Sequence, residues 1–82
     1  MDERTKELIA IGASAAVNCH PCIDLHLSVC DSLGIGRDEA AAAIEVGLAV
    51  NRGAAAKTRL KVTALLGTAG EAEGGSGDSR CC

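Results

Sequence analysis

The chain has 82 residues and a mass of 8.2 kDa, which allows one small domain. It contains no Phe, Tyr or Trp, and fifteen of its hydrophobic residues are alanines, so we expect a thin core and self-association. The absence of aromatic residues excludes nucleic-acid modules that stack bases. The net charge of −3 and the pI near 5.2 argue further against a nucleic-acid partner.

The apolar run LIAIGASAAV at residues 8–17 is the segment that could suggest export or a membrane span. The residues before it are mixed in charge, whereas a secretory signal begins with positive charge. The run is also shorter than the roughly 18 apolar residues that a spanning helix needs. We therefore expect a soluble, cytoplasmic protein with no membrane partner, and in that compartment paired cysteines are more often catalytic or metal-binding than structural.

The first two predicted helices are bounded by recognisable cap residues. The first begins after Asp2 and ends at Asn18, and Asn18 is also expected to cap the second helix. The second helix spans about residues 19–33, with Pro21 in its first turn, where a missing N–H costs nothing. The sequence LGI at residues 33–35 predicts a stop with glycine in the left-handed conformation.

The third predicted helix opens at Gly36, with Asp38 and Glu39 in its first turn, where acidic residues favour the helix dipole. Gly53 is expected to break or kink it before a further helical stretch that ends near Leu66. No segment alternates between apolar and polar residues as a strand does. The predicted fold class is all-α, a small bundle of three to four helices that assembles into an oligomer.

The composition changes abruptly after Leu66, where Gly and Ser become frequent. We expect a helical core at residues 1–67 and a flexible Gly-rich tail at residues 68–82. The tail ends in Cys81 and Cys82, which are either incidental or part of a thiol arm that exchanges with the other cysteines. Residues 51–70 carry four basic groups and no acidic ones, a pattern typical of a solvated helix face.

The residues suited to chemistry are concentrated in the sequence CHPCIDLH at residues 19–26. On a helix, Cys19, Cys22 and His26 lie on one face, which Cys30 extends by another turn. The free amides and the dipole at a helix start stabilise a thiolate. Two thiols three positions apart can form and reopen a disulfide, and an imidazole one turn further on can move the proton.

Three interpretations of this face remain open on the residues alone. The first is a redox dithiol, which the additional in-line histidine favours. The second is a non-catalytic zinc or soft-metal module with Cys19, Cys22, His26 and Cys30 as ligands, although ligands on one straight helix spread along its axis and rarely close a tetrahedron. The third is a seam of small buried thiols between helices, with His26 as a core histidine.

The array Glu7, eleven residues, Cys19-x-x-Cys22, three residues, His26 resembles the signature of the alkylhydroperoxidase D-like core within the carboxymuconolactone decarboxylase-like family. The similarity covers about residues 3–60. It implies an all-α fold that forms dimers, trimers or hexamers, and a thiol-dependent peroxidase or disulfide oxidoreductase. The decarboxylase branch of the family lacks the CxxC pair, so its presence here indicates the redox branch.

The resemblance also implies a role for each residue of the array. Cys22 would attack a hydroperoxide and become a sulfenic acid, and Cys19 would resolve it to a disulfide. His26 and Glu7 would form a proton relay. The redox-active disulfide would replace any cofactor, and an external dithiol of the dihydrolipoamide or thioredoxin type would reset it. Position at the helix start alone favours the opposite order, with Cys19 as the nucleophile.

Overall fold

A computed structural model describes residues 1–67, which form three helices: α1 (Glu3–Ala16), α2 (His20–Ser32) and α3 (Arg37–Leu66). Within these residues there is no strand, so the all-α class is confirmed, with three helices. The predicted tail, with both terminal cysteines, lies outside the described residues. A first compact unit covers Met1–Leu48, and a second begins at Ala49.

Both ends of α1 are closed by local hydrogen bonds. The Asp2 carboxylate accepts the Thr5 N–H at 2.7 Å, which confirms the predicted N-cap. At the other end, Asn18 adopts a left-handed backbone with φ 59°, and its N–H donates to the Ala15 carbonyl at 3.2 Å. Asparagine tolerates this conformation better than most residues, so it stops α1 after Ala16 as predicted.

The N-cap of α2 is Cys19, so the prediction that Asn18 caps this helix is wrong. The left-handed turn at Asn18 already belongs to the end of α1, and Cys19 has the extended backbone that a cap requires, with φ −92° and ψ 93°. Pro21 lies in the first turn, as predicted. Gly34, with φ 76°, follows the end of α2 and precedes the buried Ile35, which confirms the predicted stop.

Helix α3 is one continuous α-helix of 30 residues, so the predicted break at Gly53 is wrong. A glycine inside a helix costs about 1 kcal/mol relative to alanine, and neighbouring alanines, the strongest helix formers, offset that cost. Asp38 and Glu39 lie in its first turn, as predicted. Among the helices of residues 1–67, none combines the length and the hydropathy required to span a bilayer.

The hydrophobic core of the first unit draws on all three helices and on the α2–α3 connection. Its buried members are Ile11, Cys30, Ile35 and Ala40, and the partly buried residues packed against them are Leu8, Leu27, Ala43 and Ile44. Five of these eight side chains are Ile or Leu, three are small and none is aromatic, so the cluster buries less apolar area than an aromatic core would. Tight backbone packing therefore matters more here than in a core with aromatic residues.

Helices α1 and α3 approach each other at a pair of glycines. A Cβ atom added to Gly47 would lie 2.0 Å from the carbonyl oxygen of Gly12, and one added to Gly12 would lie 2.9 Å from the carbonyl oxygen of Ala43. Neither position has room for a side chain. The close crossing fixes α1, the helix that carries Glu7, against residues 43–47 of α3.

Candidate active site

The start of α2 carries a disulfide between Cys19 and Cys22, whose Cα atoms are 5.2 Å apart. Both cysteines are half-buried. The Sγ atom of Cys19 accepts the backbone N–H of Cys22 at 3.3 Å, so a sulfur serves as the capping acceptor of the helix. The structure thus brings the two predicted thiols together, at a helix end where backbone amides and the dipole favour negative charge.

Glu7 and His26 meet between α1 and α2. The Nδ1 atom of His26 lies 2.7 Å from Oε1 of Glu7, although 19 positions separate the two residues in the sequence. Glu7 is only 8% exposed, and the His26 side chain is 26% exposed. Because Nδ1 is engaged by the carboxylate, Nε2 is the ring nitrogen that remains to exchange a proton. His26 lies one helical turn after Cys22.

The Glu7–His26 pair rests on the core of the first unit. Ile11 follows Glu7 by one turn of α1, and Cys30 follows His26 by one turn of α2, and both are fully buried. A buried carboxylate is costly unless it is hydrogen-bonded, and His26 provides that bond. Across the described residues, 1–67, no buried side-chain nitrogen or oxygen lacks a hydrogen-bond partner. The low polarity beneath the pair strengthens its hydrogen bond.

Cys30 is a free, fully buried thiol of the core rather than a further member of the dithiol. Burial raises the pKa of the Cys30 thiol, and the charges of Glu7 and Asp31 raise it further. A thiol in this environment stays protonated and unreactive at neutral pH. Cys30 therefore lies on the face of α2 that carries Cys19, Cys22 and His26, as predicted, but its role is to pack in the core.

Residues 1–65 match the carboxymuconolactone decarboxylase family. The chain belongs to this family. The matched range contains Glu7, the Cys19–Cys22 disulfide and His26, and it confirms the resemblance seen in the sequence. No curated protein and no solved structure matches the chain.

For the zinc interpretation, the part of the chain that the structure describes offers no ligand set. Within residues 1–67, no group of three or more His, Cys, Asp and Glu side chains is arranged to hold a metal ion. Cys19 and Cys22 are bonded to each other, and Cys30 lies in the core. The other histidine, His20, is exposed in the first turn of α2.

Sequence reasoning missed the residues that hold the dithiol in place. The Ser14 carbonyl accepts the N–H of Cys19 at 3.0 Å, which ties the start of α2 to the end of α1. The buried Ser14 hydroxyl in turn donates to the Ala10 carbonyl at 2.7 Å. An asparagine directly before a cysteine, just after an apolar helix, is the sequence signal that could have predicted this closing turn.

Proposed function

We propose that the chain is a thiol-dependent peroxidase and disulfide oxidoreductase that reduces hydroperoxides with Cys19 and Cys22. The observation that carries the proposal is the 2.7 Å contact between His26 and Glu7, one helical turn from Cys22. It supplies an oriented imidazole beside a dithiol that is seen as a disulfide. Proton transfer during thiol chemistry benefits from an imidazole that a buried carboxylate holds in place. A metal site would also need further ligands, and residues 1–67 contain no such group.

The first chemical step uses the reduced protein. The Cys22 thiolate attacks the terminal oxygen of the hydroperoxide, the O–O bond breaks, and Cys22 becomes a sulfenic acid. The departing alkoxide takes a proton from His26 and leaves as an alcohol. Glu7 holds the imidazole ring through Nδ1 and compensates its positive charge while the ring carries the extra proton.

The second step closes the disulfide that the structure contains. The Cys19 thiolate attacks the sulfur of the Cys22 sulfenic acid, the S–O bond breaks, and the hydroxide leaves as water after it gains a proton. An external dithiol of the dihydrolipoamide or thioredoxin type then reduces the disulfide. Two electrons pass from that dithiol to the hydroperoxide, and no other cofactor is required.

Substitution of each cysteine tests the order of attack. Cys22→Ser should abolish hydroperoxide consumption. Cys19→Ser should retain the first step and leave a sulfenic acid on Cys22, which a dimedone-type reagent labels. Activity retained in the Cys22→Ser protein, with label on Cys19, would reverse the assignment and favour the order that helix position alone suggests.

A thiol count tests the redox function against the zinc alternative. One equivalent of hydroperoxide should consume two thiols of the reduced full-length chain, with no zinc in the same sample. Stoichiometric zinc together with protected thiols would contradict the peroxidase proposal and favour a metal module.

The proposal includes a homo-oligomer in the cytoplasm. Several large apolar side chains are more than half exposed in the single chain, among them Val17 (71%), Leu25 (59%), Leu65 (70%) and Leu66 (71%). Apolar surface of this kind is typical of protein interfaces. A reducing compartment suits a disulfide that must be reopened in every cycle.

A further inference from the structure

We propose that the external thiol attacks Cys22 of the Cys19–Cys22 disulfide, so that the mixed disulfide forms on Cys22 and Cys19 departs as a thiolate. This inference rests on the proposed disulfide exchange and adds which sulfur bonds to the reducing partner. The observation that carries it is the hydrogen bond from the Cys22 N–H to Cys19 Sγ at the N-cap of α2.

The capping position prepares Cys19 to accept negative charge. Its Sγ already receives a backbone N–H at 3.3 Å in the disulfide form, so no rearrangement is needed when the sulfur becomes a thiolate. A hydrogen bond to a charged acceptor is roughly twice as strong as one between neutral groups. The positive end of the α2 dipole adds to this stabilisation, because the first amides of a helix lack partners within the helix.

Cys22 lies in a different electrostatic environment. It lies one turn before His26, whose ring is bound to the buried Glu7 carboxylate, and it donates its own N–H to the other sulfur. Both sulfurs lie at the helix start, but the capping hydrogen bond is made to Cys19, whereas charge on Cys22 is relieved by a proton from His26. Disulfide exchange is faster when the leaving thiol is more acidic, so expulsion of Cys19 is favoured. Both cysteines are half-buried, so exposure does not reverse this preference.

The exchange balances without any further reactant. The partner thiolate attacks Cys22 Sγ, the bond between Cys19 and Cys22 breaks, and the electron pair stays on Cys19. The second thiol of the partner, once deprotonated, attacks the partner's own sulfur in the mixed disulfide. That attack forms the partner's disulfide and releases the Cys22 thiolate, which takes a proton from His26. The hydroperoxide and the reducing partner therefore both react with the sulfur of Cys22.

Mass spectrometry of a trapped adduct tests this directly. The oxidised full-length chain is mixed with excess glutathione, an alkyl monothiol that cannot resolve its own mixed disulfide. The sample is quenched in acid within seconds and alkylated with N-ethylmaleimide. We expect the glutathione on Cys22 and the maleimide on Cys19, in about tenfold excess over the reverse product. An excess of glutathione on Cys19, or equal labelling of both sulfurs at the earliest time, would overturn the inference.

Two further measurements keep the test independent of peroxide chemistry. The double variant Cys81→Ser/Cys82→Ser should give the same ratio of adduct on Cys22 to adduct on Cys19. A changed ratio would mean that the terminal thiols take part in forming the product, and it would overturn the inference. In single-thiol variants, ultraviolet absorbance should show Cys19 ionising at lower pH than Cys22, and the reverse order would overturn it. Neither measurement requires peroxidase activity, so loss of that activity would contradict the proposed function alone.

Discussion

Residues 1–48 and residues 49–67 differ in how much apolar side chain they bury, although both also expose some. The first region buries a connected cluster and contains the disulfide and the Glu7–His26 pair. In the second region the buried hydrophobic residue is Ala56, whereas the larger side chains are at least 41% exposed: Val50, Leu60, Val62, Leu65 and Leu66. The chemistry thus lies in the region that packs by itself, and we expect the apolar surface of the other region to serve association.

The largest effect is expected at His26. His26→Ala should lower the rate of hydroperoxide reduction by about 10²–10⁴-fold, the usual contribution of a general acid or base. His20→Ala is the matched control, because His20 is an exposed histidine of the same helix, and it should change the rate less than about threefold. The measurement is kcat/KM for a hydroperoxide, with circular dichroism as the check on folding.

A second variant separates the proton relay from packing. His26→Ala leaves the buried Glu7 carboxylate without its partner, which costs stability as well as activity. His26→Gln keeps a hydrogen-bond donor for Glu7 but cannot carry the proton. It should fold normally and remain as slow as His26→Ala. Activity near that of the unmodified chain would show that His26 acts through packing.

The next largest effect is expected at the glycine crossing, which belongs to the packed region. Gly47→Ala should lower the free energy of unfolding by about 3 kcal/mol, because the new Cβ would meet the Gly12 backbone. Gly12→Ala should cost about 1 kcal/mol, since its nearest atom lies 2.9 Å away. At a helix position with room for a Cβ atom, a change from glycine to alanine would instead raise the free energy of unfolding. Urea denaturation measures the difference, and a Gly47→Ala protein at least as stable as the parent would contradict the crossing.

The role of residues 49–67 in association is tested by replacing their most exposed side chains. Leu65→Ser/Leu66→Ser should weaken the proposed oligomer by about tenfold or more, because each buried leucine contributes roughly 1.5–3 kcal/mol. Ile9→Ser is the control from the first region, where the side chain is 54% exposed, and it should have little effect. Sedimentation at micromolar concentration measures both. A stable folded monomer of the unmodified chain would refute the oligomer itself.

Local signals were the part of this fold that could be predicted from sequence. The Asp2 cap and the Gly34 stop depend on residues within a few positions of each other, and both were confirmed. The cap of α2 was misplaced by one residue, because the backbone conformation of Asn18 decides where that helix begins. The continuity of α3 does not follow from Gly53 taken alone, because the helix propensity of the neighbouring alanines outweighs the cost of one glycine.

Contacts between helices could not be derived from periodicity alone. Helical spacing places Cys19, Cys22 and His26 on one face, but it says nothing about which residue of α1 faces them. Glu7 was identified through the family resemblance, and its contact with His26 depends on how α1 packs against α2. The approach of Gly12 to Gly47 is also a tertiary property, since each glycine taken alone only lowers helix propensity.

The smallest effect on the free energy of unfolding is expected from ionisation of Cys30. Its measurement tests how well the core of residues 1–48 is closed to solvent. Burial raises the pKa of this thiol in the folded chain, whereas in the unfolded chain its pKa is about 8.5. Above that pH the unfolded state loses its proton first, so the free energy of unfolding falls as the pH rises towards the pKa of the folded state. One such proton contributes at most about 1.4 kcal/mol per pH unit.

Cys30→Ala isolates this contribution. At pH 7 the variant should be less stable than the parent, because it leaves a small cavity in a fully buried site. Between pH 8 and pH 10 the difference should shrink, since only the parent loses the stabilisation of a protonated core thiol. Urea denaturation without reductant keeps the Cys19–Cys22 bond intact, and the other groups, common to both proteins, cancel in the difference. Parallel pH dependences would mean that Cys30 ionises as readily in the folded chain as in the unfolded one, contrary to its burial.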